Sequence, residues 1–144
     1  MRDVLFRGKR IDNGEWVCGY LICSNDHKRA FIGDLDFDLP ERDFVSVDEL
    51  DVVEVDLNTV DQYTGITDTC GTTIFENDIC RFDNEEPRSE DRFTNYAIQW
   101  DRVNCRFIVV DAENCEYVLD EFFSKFAVVI GNIHDNSELM GGAQ

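Results

Sequence analysis

Short apolar runs alternate with polar residues along this chain, and most of them end in a turn signal. No segment carries a 3.6-residue apolar stripe longer than about two turns. A chain patterned this way buries its apolar faces chiefly by pairing strands, so the pattern narrows the fold to a mainly β one. The opening reads as a β-hairpin: Val4 to Ile11 runs into Asp12-Asn13-Gly14, which suits positive φ, and Glu15 to Cys23 returns. Trp16, Cys18, Tyr20 and Ile22 share one face of the returning strand and Val17 and Leu21 the other, which predicts a central strand apolar on both faces.

Further strands are predicted at Arg29–Ile32, Val52–Val55, Thr73–Phe75, Asp78–Phe82, Thr94–Trp100, Cys105–Val110, Cys115–Leu119 and Phe126–Ile133. Turns fall at Asp56–Thr59, Asp68–Gly71, Asp101–Asn104 and Glu113-Asn114, and a polar surface loop at Asp83–Arg92. Ser46 with Glu49 has the form of a capping box, enough for one helical turn. The expectation is one domain over residues 1–144 with sub-lobes 1–60 and 61–144. The first is an N-terminal hairpin lobe, the second a small barrel-like, SH3-like β lobe, with few short helical turns.

A chain of 144 residues, 43% of them hydrophobic, can bury a core without disulfides or metal. No apolar run approaches the ~20 residues of a membrane span. The N-terminal apolar run is only Val4-Leu5-Phe6, too short for a secretory leader, so a cytoplasmic location is expected. The six cysteines show no C-x-x-C pair and no zinc spacing. Cys18, Cys80, Cys105 and Cys115 lie in β-like runs and are read as reduced core thiols.

The net charge of −18 opposes direct binding to nucleic acid or an anionic membrane. It is unevenly spread: residues 34–61 hold eleven acids and one base, residues 1–10 four bases and one acid. Asp34, Asp36 and Asp38 have the spacing of a calcium loop. Leu39 and Val45, however, stand where an EF-hand needs glycine and glutamate, so a solvated loop is the better reading. His27 and His134 sit in polar turns away from any nucleophile signature, and no phosphate or dinucleotide loop occurs. Trp16, Tyr20, Tyr63, Tyr96 and Trp100 number enough for a base-stacking platform, but the acidic surroundings favour core positions. No cofactor, metal or catalytic activity is therefore expected.

Three segments in series resemble the YopX family of phage and prophage proteins. The first is Leu5-Phe6-Arg7-Gly8-Lys9-Arg10 with Asn13–Val17 and Gly19-Tyr20-Leu21. The second is Gln62-Tyr63-Thr64-Gly65, continuing through Asp68 and Gly71 to Ile74–Ile79. The third is Ile130-Gly131-Asn132-Ile133 with Asn136, Glu138 and Leu139. Asn77 departs from a common glycine and Leu57 from a common proline.

The resemblance implies a β-rich, self-associating protein with no established activity and no catalytic residues to transfer. Arg7, Gln62, Tyr63 and Asp78 are the polar motif residues that a ligand site or interface would use. The expected function is that of a phage or prophage accessory protein acting by protein contacts as a homo-oligomer, with a host protein as a further partner. The alternatives are an acidic mimic of nucleic acid that inhibits a host nucleic-acid-binding protein, and an unrecognised enzyme.

Overall fold

The structure is a computed structural model and describes residues 3–33, 51–85 and 92–141. The chain is mainly β, as its patterning implies, and its contacts divide it into Met1–Gln62 and Tyr63–Gln144.

In the first unit β1 (Phe6–Lys9), β2 (Trp16–Cys23), β3 (Ala30–Gly33) and β4 (Val52–Val55) form an antiparallel array in the order β4-β3-β2-β1. The opening residues of β5 (Asp61–Thr67) pair with β1 through Phe6↔Gln62 and Arg7↔Asp61. Strand alternation sorts the side chains. Phe6, Val17, Leu21, Val53 and Val60 pack on buried Ala30, Ile32 and Val55. Gly8 belongs to that face because a Cβ there would stand 3.0 Å from Val55 Cβ. Between β4 and β5, Leu57–Thr59 is a single 3-10 turn, begun by the Asp56 carboxylate accepting the Asn58 N–H at 3.0 Å.

Strand β2 is interior in the order but covered unequally. Val17 and Leu21 reach the core, while Cys18 and Tyr20 on the opposite face are exposed. The expectation of buried cysteines fails at three of its four positions: Cys18, Cys105 and Cys115 are exposed and Cys80 alone of these is buried. None of the six cysteines is joined in a disulfide. Cys105 does not begin a strand. It closes a turn in the left-handed region at φ +52, and the next strand starts at Arg106. The aromatic expectation also divides: Tyr20 and Trp100 are 45% and 43% exposed, whereas Trp16, Tyr63 and Tyr96 are partly buried.

In the second unit β6 (Thr73–Phe75) pairs with the later residues of β5. Strands β7 (Asp78–Asp83), β8 (Phe93–Asp101), β9 (Arg106–Val110), β10 (Glu116–Val118) and β11 (Ala127–Asn132) form an antiparallel sheet ordered β10-β9-β8-β7-β11. Its core holds Ile74, Cys80, Ile98, Val109, Leu119, Phe123 and Ala127. Phe123 comes from α1 (Glu121–Phe126), a helix with its own start and stop chemistry. The Asp120 carboxylate accepts the Phe123 N–H at 3.0 Å, Glu121 occupies the first turn and Lys125 the last. After β11, α2 (Ile133–Asn136) and a 3-10 turn at Ser137–Met140 end the described chain, and the Leu139 carbonyl accepts the Asn95 side-chain N–H at 2.8 Å. Among the described residues no helix is long and apolar enough to cross a membrane. The D-x-D-x-D stretch, the capping box at Ser46 and most of the 83–92 loop lie outside the described residues.

Candidate functional site

On β1 the alternation that sends Phe6 and Gly8 to the core sends Arg7 and Lys9 to the other face. Register places Arg7 opposite Cys18 on β2 and Asp61 on β5, and Lys9 opposite Trp16. The Arg7 Nε donates to Asp61 Oδ2 at 3.0 Å, with the two side chains only 11% and 1% exposed. The Arg7 guanidinium stands 4.8 Å from the Trp16 ring centroid and the Lys9 ammonium 5.4 Å, so one indole faces two cations. Thr59 anchors the same strand: its hydroxyl accepts the Lys9 N–H at 2.8 Å and donates to the Asp56 carbonyl at 2.7 Å. Gln62 follows Asp61 on β5 and pairs with Phe6, so it lies on the opposite face from Arg7. The partner of Arg7 is thus Asp61, a residue that the motif reading passed over although it adjoins Gln62.

The second unit holds its buried acids differently. Asp68 spans a turn and a strand: Oδ1 accepts the N–H groups of Cys70 and Thr72 at 2.9 Å each, and Oδ2 accepts that of Val129 on β11 at 3.0 Å. Asp78 closes the β6–β7 turn by accepting the Phe75 N–H at 2.8 Å. Tyr63 lies against the ring of the same Phe75, centroid to centroid 5.9 Å. Tyr63 and Asp78 therefore meet at Phe75, where they fix a hairpin. Both acids raise the proton affinity of the Cys80 thiol, but burial is the larger cause, and together they push it well above the ordinary thiol range. That thiol is an inert core group.

Asn77, in the same turn, has φ +65, its N–H donates to the Ile98 carbonyl at 2.8 Å, and its carbonyl accepts the Ile133 N–H at 2.8 Å. Asparagine is among the few side chains that tolerate this conformation, which explains how it can stand where glycine is common. Gly131 has a different reason. A Cβ there would come within 2.5 Å of Asn136 Oδ1, the atom that accepts the Asn132 N–H at 3.2 Å. Asn132 in turn caps α2 by accepting the Asp135 N–H at 2.9 Å. The motif residues are thus the ones that close turns and join strands.

The family model described as YopX protein matches residues 5–141. The chain belongs to the YopX family. Its YopX fold is shared with a solved structure, protein EF1440 from Enterococcus faecalis, at a TM-score of 0.58 and 21% identity, covering 97% of this chain and 99% of that one. At that identity the likeness concerns the fold alone. A search of curated proteins returns no match.

The same YopX chain carries a second feature that the motifs do not mark. The Phe82 ring stacks on Phe123 at 5.3 Å and meets Tyr96 and Phe126 edge-on at 6.1 and 5.9 Å. Tyr117 meets Tyr96 edge-on at 5.9 Å. Between β10 and α1 the rings of Phe82, Tyr96, Tyr117, Phe122 and Phe123 frame a cleft of about 300 Å³ whose rim, Tyr117, Val118 and Phe122, is 52%, 47% and 65% exposed. The legible signal was Asp120 followed by Glu121-Phe122-Phe123 and Lys125, a capped single helix with two adjacent rings on different faces.

Proposed function

We propose that this YopX family protein is a phage- or prophage-encoded accessory protein of the cytoplasm that has no catalytic activity and acts through protein–protein contacts as a homo-oligomer. The reading is carried by the outer face of the first sheet. There Trp16, Tyr20 and Phe31 stand among cations that already have partners: Arg7 on Asp61, Arg29 on Glu54 at 2.6 Å, and Lys9 over Trp16. A chain of net charge −18 repels its own copies, so two copies meet most favourably where an apolar surface is locally charge-balanced. Support for a non-catalytic role comes from the motif acids themselves, since Asp61, Asp68 and Asp78 are committed to internal bonds.

The alternative of a nucleic-acid mimic draws on the charge of the sequence. In the described part of the 34–61 stretch, Glu54 holds Arg29, Asp56 holds the Asn58 N–H and Asp61 holds Arg7. Size-exclusion chromatography with light scattering at tens of micromolar tests the leading reading. The wild-type chain is expected to run as an oligomer and Tyr20→Glu as a monomer. A strictly monomeric wild type would overturn it.

A further inference from the structure

Strand β10 pairs with β9 on one side and stands at the end of the sheet order, with all three of its residues exposed. Beside it the cleft floor is apolar, formed by Val109 and Phe123, which are 1% and 6% exposed. The exposed rim of Tyr117, Val118 and Phe122 is an apolar patch larger than singly scattered surface residues make. The charge along the segment that builds it is mostly negative: residues 111–126 carry Asp111, Glu113, Glu116, Asp120 and Glu121 against one base, Lys125. Asp120 lines the cleft directly, and its cap on α1 uses Oδ1.

We propose that this cleft and the outer edge of β10, unpaired among the described residues, take an extended, alternately apolar and basic segment of a different protein, added as a strand. Alternation on β10 sets the pattern. Tyr117 is opposite Val109 and faces the cleft, whereas Glu116 belongs to the other face, and Val118 closes the cleft's rim at the end of the strand. A strand hydrogen-bonded along β10 places every second side chain over Phe122 and Phe123 and the intervening ones beside Glu116. Apolar residues suit the first set and Lys or Arg the second. A second copy is the wrong occupant, because an isologous contact would set these acids against their own equivalents. Glu116 thus keeps like edges apart and admits a basic strand. The proposal rests on the reading that the protein works by protein contact, but it uses a surface separate from the Tyr20 face.

The test is an NMR titration of the full chain with a synthetic peptide of about nine residues alternating Lys and Phe, and with its Glu-for-Lys counterpart. The Lys peptide is expected to shift resonances of Tyr117, Val118 and Phe122 and to bind roughly tenfold more weakly between about 50 and about 300 mM salt, and the Glu peptide to leave them unmoved. Phe122→Ser should keep the wild-type spectrum elsewhere and weaken binding at least about tenfold. Glu116→Lys with Glu121→Lys should reverse the peptide preference. Equal binding of both peptides, or shifts that avoid β10 and α1, would sink the proposal. So would a Phe122→Ser chain that binds as before but changes mass, since the occupant would then be a second copy. Peptide binding by a monomeric wild type would leave this proposal standing and remove the oligomer. An oligomer whose cleft ignores the peptide would do the reverse.

Discussion

Asp61 in the first unit and Asp68 in the second are both buried carboxylates joining strands distant in sequence, and each is compensated by a different means. Asp61 faces a cation, Arg7, fifty-four positions away. Asp68 faces three backbone amides, one of them sixty-one positions away on β11. Among the described residues no buried side-chain nitrogen or oxygen lacks a partner, so both solutions are complete. The difference lies in what can replace them. An ion pair of two side chains can be exchanged for two apolar side chains, because both charges leave together. A carboxylate holding backbone amides cannot, because the amides stay behind.

That contrast can be broken most sharply at Asp61. Asp61→Ala takes the carboxylate away from the buried Arg7 guanidinium and should cost about 3–5 kcal/mol in urea unfolding, while Arg7→Met combined with Asp61→Leu should recover most of the loss. If the double variant is no better than the single one, the pair is more than an exchangeable strap. At Asp68 the expectation is inverted. Asp68→Ala should cost about 2–3 kcal/mol, and no second apolar substitution should restore it. Recovery by any apolar partner would erase the distinction between the two units. The smallest effect belongs to the turn at Asn77: Asn77→Ala should cost about 1 kcal/mol from left-handed strain, and Asn77→Gly should be near neutral. Differential scanning calorimetry would resolve the two.

Much of the strand pattern was legible because alternation is a local property. Val52–Val55 and Thr73–Phe75 form the strands their residues predict, and Asp78–Phe82 is extended by one residue. What failed depended on which face of a strand is covered. Cys18 and Tyr20 alternate correctly with Val17 and Leu21, yet alternation alone does not say which face receives the core. Cys105 reads as the start of an apolar run, but the turn built on Asp101, whose carboxylate accepts the Val103 and Asn104 N–H groups, takes it into the left-handed region. The helix α1 is only six residues long, shorter than any stripe periodicity can register.

The candidate residues divide along the same line. Arg7 and Asp78 were visible as polar motif residues, and both prove to be buried and bonded. Gln62 is a motif residue like Arg7, but register sets the two on opposite faces of their strands, and the residue that meets Arg7 is Asp61. The cleft between β10 and α1 is not legible in the sequence, because its rings come from β7, β8, β10 and α1, which no local pattern joins.

By itself, then, the sequence determined a mainly β chain, its turns, its acidity and its YopX motifs, since each of these is written in neighbouring residues. Tertiary structure alone decided that Arg7 meets Asp61, that Asp68 meets Val129, and that four separate elements bring their rings to one cleft. Those contacts depend on strand register and order, and these are settled by which distant faces exclude water together.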